Sequence, residues 1–178
     1  MVESNRNLNH KYEYVGFLSK SVRIKEKGFW GINDFDGNEI LPSNYIEVFT
    51  LSSGYGLIAA RDAGFYDIYD FSGNKINSER FDYLYPYYGL FGLTKVRIGE
   101  SWGIINKHGR VIVPIKYKRI DKFGKGMILR EFDSNLEFID KDELFKLSKV
   151  KHSIIDNAPK IPVRKKLIAI PLKKTKTA

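Results

Sequence analysis

One short phrase recurs along this chain at a fixed spacing of 36 residues. Its copies begin with Trp30, Tyr66 and Trp102, and a glycine follows each of these aromatic residues seven positions later. An ungapped spacing shared by many columns indicates a repeat architecture, in which stacked units cover each other's apolar faces. Further columns at this spacing are Ile32, Ile68 and Ile104; Ile40, Ile76 and Ile112; Tyr45, Phe81 and Tyr117; and Leu57, Leu93 and Leu129.

The sequence of each unit predicts β-strands joined by tight turns. The runs FWGIND, FYDIYD and SWGIIN are short and rich in β-branched and aromatic residues, which is typical of strands. Asp34, Asp70 or Asn106 then opens a turn that ends at the glycine. An Asx side chain accepts hydrogen bonds from its own turn, and glycine adopts positive φ at no steric cost. A second strand follows, which we expect Pro42 and Pro114 to end.

The spacing predicts an all-β fold of tandem ~36-residue β-hairpin repeats, stacked as a short open solenoid, with a partial propeller-like array as the alternative. The fourth unit is degraded, and we expect Asp140 to be its turn acid. A short C-terminal helix and an extended basic tail follow. The predicted segments are an N-terminal extension at 1–11; a repeat domain at 12–141, with units of about 12–44, 45–80, 81–116 and 117–141; a capping helix at 142–151; and a basic, proline-containing arm at 152–178.

Composition limits the class of protein. A chain of 178 residues that is 43% hydrophobic can bury a sizeable core. Cysteine is absent, which excludes disulfides and thiolate metal sites. No apolar run reaches the ~18 residues of a membrane helix. The segment MVESNRNLNHKYEY lacks the apolar part of a signal peptide, so we expect a cytoplasmic protein.

The net charge of +9 is concentrated at one end of the chain. Residues 151–178 carry eight lysines and arginines against one aspartate, for a charge of +7. Residues 1–150 carry only +2, so the repeat domain is almost neutral. Any attraction to polyanions is therefore expected to depend mainly on the arm.

The pairs Trp30-Gly31 and Trp102-Gly103 resemble the bacterial WG-repeat family. WGINDFDGNEILPSNY and WGIINKHGRVIVPIKY follow its pattern of Trp-Gly, a turn glycine, a strand with proline and a tyrosine. The middle unit departs from the pattern, because Tyr66-Asp67 replaces Trp-Gly and the proline is missing. The resemblance covers roughly residues 12–142. It implies an all-β interaction module and no particular activity.

No catalytic set is recognisable in the sequence. His10, His108 and His152 form no paired motif, and there is no nucleophile elbow or phosphate-binding glycine loop. His108 shares a turn column with Asp36, so we expect an exposed loop residue. Asp34 with Asp36 is the best calcium candidate, but calcium needs several convergent oxygen ligands. We therefore expect no enzyme, no cofactor, no metal and no small-molecule substrate.

Three tyrosines exceed what the packing of a repeat requires. Columns that are apolar in every unit, such as those of Phe81 and Leu84, are expected to face the core. Tyr83, Tyr85 and Tyr88 fall in columns whose chemistry varies between units. Tyrosine offers rigid contact area with a polar tip, so these three residues predict a partner-binding surface. Filling of a local gap and stacking on carbohydrate are the alternatives.

A second column is basic in three units, at Lys25, Arg61 and Arg97, and Arg23 and Lys95 could widen it. Stacked units would align these cations into a row suited to a phosphate backbone or an acidic partner. The alternative is a charged strand edge that discourages edge pairing. The arm residues assigned to the same role are Arg164, Lys165, Lys166, Lys173 and Lys174.

These features predict a non-catalytic β-repeat scaffold that mediates protein–protein interaction within a larger assembly, with the basic arm docked on a partner. The alternative is a nucleic-acid-associated protein that binds phosphates through the arm and the Lys25, Arg61 and Arg97 row. Salt separates the two, because phosphate binding weakens steeply with ionic strength. The segment VRKKLIAIPL is predicted to add as a strand to a sheet edge, and a disordered tail is the alternative.

Overall fold

A computed structural model describes residues 11–18, 20–52, 56–86 and 91–150. Sheet 1 contains β1 (Tyr14–Phe17), β2 (Val22–Glu26), β3 (Phe29–Asn33) and β4 (Glu39–Tyr45). Sheet 2 contains β5 (Glu47–Ser52), β6 (Leu57–Arg61) and β7 (Tyr66–Asp70). Sheet 3 contains β8 (Tyr83–Pro86), β9 (Thr94–Ile98), β10 (Ser101–Ile105) and β11 (Val111–Tyr117). Sheet 4 contains β12 (Arg119–Phe123), β13 (Gly126–Arg130) and β14 (Leu136–Ile139), and helix α1 (Lys141–Ser148) follows.

Every sheet is an antiparallel meander whose strands lie side by side in chain order. The prediction of a mostly β fold with a short C-terminal helix is confirmed for the described residues. The arm at 152–178 and nearly all of the extension at 1–11 lie outside them. Within the described ranges, no helix has the length and apolar character needed to cross a membrane.

Three apolar clusters lie between consecutive sheets. The first joins residues of sheets 1 and 2, the second joins sheets 2 and 3, and the third joins sheets 3 and 4. Strand β6 shows how a middle sheet serves two clusters. Ile58 and Ala60 belong to the first cluster, whereas Leu57 and Ala59 belong to the second. Because side chains alternate along a strand, sheet 2 buries both of its faces between its two neighbours.

Cross-strand pairing recurs along the chain in the same positions. The hairpins β2–β3, β6–β7 and β9–β10 occupy equivalent places in sheets 1, 2 and 3. In each of them, the column of Lys25 pairs with the column of Trp30. Each hairpin therefore sets a basic residue directly opposite the leading aromatic residue, on one face of the sheet. The pairs are Lys25–Trp30, Arg61–Tyr66 and Arg97–Trp102.

The predicted Asx turns are confirmed. Asp34 Oδ1 accepts hydrogen bonds from the backbone N of Asp36 at 2.9 Å and of Asn38 at 2.7 Å. Gly37 ends this turn with a φ of 90°. Asp70 and Asn106 accept the equivalent bonds in their own turns.

Two of the turn glycines lie against an isoleucine of the preceding sheet, in the segment that follows that sheet's own turn. A Cβ built on Gly73 would lie 2.5 Å from the carbonyl oxygen of Ile40, and one built on Gly109 would lie 2.5 Å from Cδ1 of Ile76. The Gly73 contact is with backbone, which cannot move aside, so it adds a second reason for glycine to the positive φ at that position; the Gly109 contact is with the end of a side chain, which can shift. The turn of one unit therefore packs on the unit before it.

The glycine of each Trp-Gly pair lies under a bulge. Trp30 pairs with Tyr45 but Ile32 pairs with Leu41, so residues 42–44 of β4 bulge over the peptide of β3. A Cβ on Gly31 would lie 2.9 Å from the carbonyl oxygen of Leu41, and one on Gly103 would lie 2.7 Å from that of Val113.

Pro42 and Pro114 lie inside these bulges. The prediction that they end the second strand is wrong, because β4 continues to Tyr45 and β11 continues to Tyr117. Proline has no N–H to donate, and the bulge is the part of the strand where the ladder is already interrupted. The two prolines therefore mark where the strand bends, and pairing resumes after them.

Sheet 2 lacks the regular fourth strand, and Asp67 explains the difference. It occupies the column of Gly31 and Gly103, and its buried carboxylate binds Nζ of Lys75 at 2.8 Å and the guanidinium of Arg80 at 3.0 Å. The segment after the turn makes the isolated bridges Tyr69–Lys75 and Tyr66–Phe81, and Oδ1 of Asn77 accepts a hydrogen bond from the backbone N of Ile68 at 2.7 Å. A side chain at this column excludes the close approach of a bulged strand, and ion pairs replace it.

Asp140 caps helix α1. Its Oδ1 accepts a hydrogen bond from the backbone N of Glu143 at 2.9 Å. The prediction of a turn acid here is wrong, because this position begins a helix and Asp is a favoured N-cap. The helix starts at Lys141, one residue before the predicted 142, and ends at Ser148. Leu144 is fully buried in the third cluster.

Candidate interaction surface

Tyr83 and Tyr85 lie side by side on β8, an edge strand of sheet 3. Their exposed fractions are 43% and 51%, whereas Leu84 between them is 5% exposed and packs in the second cluster. Leu84 and Phe81, which lies before β8 in a bridge with Tyr66, are both buried as expected from their columns. Tyr88, the third predicted tyrosine, lies outside the described residues.

Both tyrosines are cross-strand neighbours of basic residues. Tyr83 pairs with Arg97 and Tyr85 pairs with Lys95. The guanidinium of Arg97 lies 5.8 Å from the centre of the Tyr83 ring and 5.6 Å from that of Trp102. The rings of Tyr83 and Trp102 meet edge to face at 5.9 Å and 76°. These five residues, Tyr83, Tyr85, Lys95, Arg97 and Trp102, are called the aromatic–basic cluster below.

Lys95 connects the aromatic–basic cluster to sheet 4. Its Nζ is 4.4 Å from the centre of the Trp102 ring and donates a hydrogen bond to the carbonyl oxygen of Ile120 in sheet 4 at 3.3 Å. Burial lowers the pKa of Lys95, and the nearby carboxylate of Asp121 acts in the opposite direction. The Lys95 side chain thus contacts a ring of sheet 3 and the backbone of sheet 4.

Sheet 1 repeats the aromatic–basic cluster with one tyrosine fewer, because Gly16 pairs with Arg23 where Tyr85 pairs with Lys95. The guanidinium of Arg23 lies 4.4 Å from the centre of the Trp30 ring, and Lys25 lies 5.5 Å from it. Tyr14 meets Trp30 edge to face at 5.2 Å and 76°. Arg23 also donates from Nη1 to the carbonyl oxygen of Val48 in sheet 2 at 3.1 Å. Both Trp-Gly units therefore build the same arrangement of two cations on one indole ring.

Sheet 2 builds a different arrangement around Arg61. Its guanidinium lies 5.5 Å from the Tyr66 ring and 3.9 Å from the carboxylate of Glu47. The Tyr66 hydroxyl donates to Glu47 Oε2 at 2.6 Å. Burial, and next the Glu47 carboxylate, raise the pKa of Tyr66 to about 12. An acid thus partly neutralises the cation in the middle unit.

The predicted basic row consists of three separate cation–ring pairs, one in each of sheets 1 to 3. Lys25, Arg61 and Arg97 each face the aromatic residue of their own hairpin. Within the described part of the chain, no contact of these three residues favours the nucleic-acid alternative. The five predicted cations of the arm, Arg164, Lys165, Lys166, Lys173 and Lys174, lie outside that part.

The residues considered for metal binding are occupied by their own turns. Asp34 accepts three hydrogen bonds from Asp36 and Asn38, and the bond from the Asn38 side chain, the largest cause, lowers the pKa of Asp34. His108 is half-buried in its turn, where an exposed loop residue was expected. Among the described residues, no group of three His, Cys, Asp or Glu side chains could hold a metal ion.

Sequence reasoning missed Trp102 as a member of the surface, although it had noted both the tyrosines and the basic column. The signal was the short turn at Gly99-Glu100, which sets Arg97 opposite Trp102. A comparison with protein families bears on this same tryptophan. Residues 102–129 match the model of a family described as "WG containing repeat". The chain carries a WG repeat. The WG-repeat resemblance based on Trp102-Gly103 is confirmed, and no curated protein matches the chain.

The WG repeat spans the junction between sheets 3 and 4. It begins at the indole ring beneath Lys95 and includes Ile120, whose carbonyl oxygen Lys95 binds. It also includes Gly103, over which the fourth strand bulges, and Tyr117, which is 1% exposed. The WG repeat therefore contains most residues of the third cluster, which joins sheets 3 and 4.

Proposed function

We propose that this chain is a non-catalytic β-repeat binding module that mediates protein–protein interaction within a larger assembly. The observation that supports it is the exposed pair Tyr83 and Tyr85, held on an edge strand over Lys95, Arg97 and Trp102. In this proposal, ~36-residue units stack as a short open solenoid and present the aromatic–basic cluster at one edge.

The make-up of the aromatic–basic cluster suits a protein partner. Tyrosine, tryptophan and arginine are the residue types that carry most binding energy in protein interfaces. The edge-to-face contact with Trp102 and the cross-strand contact with Arg97 hold the Tyr83 ring in place, so little side-chain entropy is lost on binding. The positive charge of Lys95 and Arg97 favours a partner that carries acidic side chains at the contact.

The basic arm has a secondary role in this proposal. Its charge of +6 would increase the rate of association with an acidic partner, while the specific contact is made by Tyr83 and Tyr85. The body of the domain does not supply a comparable positive field, since Arg61 lies against Glu47. Binding through the arm alone would be strongly dependent on salt.

The experiment is an affinity purification from a lysate of the source cell, with and without nuclease and at two salt concentrations. The variants are full-length Tyr83→Ala/Tyr85→Ala and the control Phe35→Ala, which removes an aromatic side chain that is 54% exposed in a turn of sheet 1. We expect the wild type and the control to retain one stoichiometric protein partner after nuclease treatment, and the double variant to lose it. Retention of the partner by the double variant would overturn the assignment of the surface.

A third variant separates the arm from the body. Arg164→Ser, Lys165→Ser and Lys166→Ser together remove three positive charges from the full-length chain. We expect this variant to bind the same partner more slowly and to keep it at moderate salt. Recovery of nucleic acid by the wild type, lost in this variant and at higher salt, would instead support the nucleic-acid alternative.

A further inference from the structure

Sheet 4 has one face that no described element covers. Ile120, Met127, Leu129 and Ile139 point into the third cluster. The residues that alternate with them point the other way, and this side is called the outer face below. Its members are Arg119, Asp121 and Phe123 of β12, Ile128 and Arg130 of β13, and Leu136 and Phe138 of β14.

The outer face corresponds, pair by pair, to faces that are buried elsewhere in the domain. The pair Arg130–Leu136 occupies the position of Arg97–Trp102 in sheet 3. Two residues further along β14, Phe138 takes the place in its sheet that Ile68 has in sheet 2 and Ile104 has in sheet 3. In sheets 1 to 3 this face packs on the following sheet. The equivalent rows are Ala59–Ile68, Lys95–Ile104 and Ile128–Phe138.

Exposure shows the difference that a missing neighbour makes. Ile68 and Ile104 are both 0% exposed, whereas Phe138 in the same column is only half-buried. Leu51 on β5 is 3% exposed, whereas Phe123 at the corresponding end of β12 is 59% exposed. Sheet 4 therefore carries large apolar side chains in positions that the other sheets bury.

Helix α1 does not cover the outer face. Its buried residue Leu144 and its partly buried Leu147 pack in the third cluster, on the opposite side of sheet 4. Its exposed Phe145 contacts Phe91 at a ring distance of 5.1 Å. The helix thus completes the junction between sheets 3 and 4 and leaves the last face of the array without a neighbour among the described residues.

Two phenylalanines occupy the centre of the outer face. A Cβ built on Gly126 would lie 2.7 Å from Cζ of Phe138, so the Phe138 ring rests on the backbone of that glycine. The Phe123 ring stands edge to face with it at 6.3 Å and 89°. The polar end of the face is internally paired, because Nε of Arg119 lies 2.7 Å from Oδ2 of Asp121. Two such faces can meet without burying an unpaired carboxylate.

We propose that two copies of this chain associate through the outer face of sheet 4. The contact continues the sheet-on-sheet packing that joins sheets 1 to 4, with the second copy in the place of a fifth sheet. A two-fold arrangement needs only one self-complementary patch, and it is the commonest symmetry of soluble oligomers. An axis near Phe123 brings the four phenylalanines together and holds the basic ends, with Arg130, apart. This dimer is independent of the surface proposed on Tyr83 and Tyr85.

The test is sedimentation equilibrium of the full chain over a range of concentrations, at low and high salt. We expect a monomer–dimer equilibrium that high salt does not weaken, because the contact is apolar. Phe123→Asp is expected to raise the dimer dissociation constant by about ten-fold or more, since it places a charge in an apolar contact. Phe35→Asp is the matched control, with an exposed fraction of 54% against 59%, and leaves the dimer intact.

A spin label locates the contact between the two copies. It also shows whether Phe123→Asp acts at the contact itself. The chain contains no cysteine, so Ile128→Cys carries one spin label on the outer face and Phe35→Cys carries one far along the chain. We expect the two labels at position 128 of a dimer to lie within reach of dipolar coupling and to be closer than the pair at position 35. Three results would overturn the proposal: a monomer at all concentrations, a dimer that Phe123→Asp leaves unchanged, or a dimer without coupling at position 128. Tyr83→Ala/Tyr85→Ala should remain dimeric, which separates this result from the partner-binding test.

Discussion

The ammonium group of Lys95 lies 4.4 Å from the centre of the Trp102 ring, and it also binds the backbone of the next sheet through the carbonyl oxygen of Ile120. A cation that contacts a ring in one sheet and a carbonyl in the next fixes the spacing between the two sheets. The tryptophan of the repeat therefore contributes more than its own burial. The equivalent contacts of sheet 1 join Arg23, Trp30 and Val48.

Replacement of Lys95 by methionine tests this junction. Lys95→Met retains the apolar stem but removes the cation–π contact and the hydrogen bond to Ile120. We expect the free energy of unfolding to fall by about 1–2 kcal/mol, as measured by urea denaturation. Lys118→Met, at an exposed position between sheets 3 and 4, is the control and should change stability little. Equal effects of the two substitutions would show that the Lys95 contacts add no stability.

Gly103→Ala tests why glycine follows the tryptophan. The added methyl group would lie 2.6 Å from Cγ1 of Ile115 and 2.7 Å from the carbonyl oxygen of Val113. Backbone cannot move aside as a side-chain end can, so we expect a loss of about 2 kcal/mol or more in the free energy of unfolding. Thermal denaturation followed by circular dichroism measures it.

Gly99→Ala provides the comparison for this substitution. Gly99 has a φ of 58°, but a Cβ there would meet nothing within 4 Å. Its replacement therefore reports only the backbone strain of a positive φ, about 1 kcal/mol. If Gly103→Ala cost no more than Gly99→Ala, the close approach of β11 would not be the reason for glycine at this position.

Much of the fold could be predicted from the chain because its signals are local. The turns at Asp34, Asp70 and Asn106 depend on a few neighbouring atoms, and hydrophobic columns set which side chains are buried. The bulges at Pro42 and Pro114 could not be predicted in the same way. Proline indicates that a strand is interrupted, but whether pairing resumes beyond it depends on the partner strand.

Asp67→Asn tests the ion pairs that replace the fourth strand in sheet 2. The carboxylate is 8% exposed, whereas its partners Lys75 and Arg80 are 40% and 39% exposed and are screened by solvent. We expect a loss of about 1 kcal/mol in the free energy of unfolding, and a smaller loss at high salt. Asp36→Asn, in an exposed turn, is the control. A loss that does not change with salt would argue against an electrostatic role.

Tyr66 predicts a loss of stability at alkaline pH. Its pKa is raised from 10 to about 12 in the folded state, by burial first and by Glu47 next. The neutral phenol is thus favoured by folding, so this stabilisation is fully present below pH 10 and is lost as the pH rises to about 12. Between these values, the free energy of unfolding of the wild type should fall more steeply than that of Tyr66→Phe. Parallel curves from urea denaturation would contradict the assignment.

The candidate surface could be predicted only in part. Comparison between units identified Tyr83 and Tyr85 as residues that the core does not need, and both are exposed on one strand. The same comparison treated Arg97 as part of a separate row. Cross-strand register decides that Arg97 lies between Tyr83 and Trp102, and register depends on loop lengths that differ between units.

The contact of Gly73 and of Gly109 with an isoleucine of the preceding unit bears on how such a chain could have grown. Gly73 rests on Ile40, and Gly109 rests on Ile76. The middle unit, residues 45–80, thus supplies the glycine of one contact and the isoleucine of the next. An in-frame gene duplication of this unit would carry both halves together, and the inserted copy would fit its neighbours on either side. The array could lengthen by this route without any new interface having to evolve.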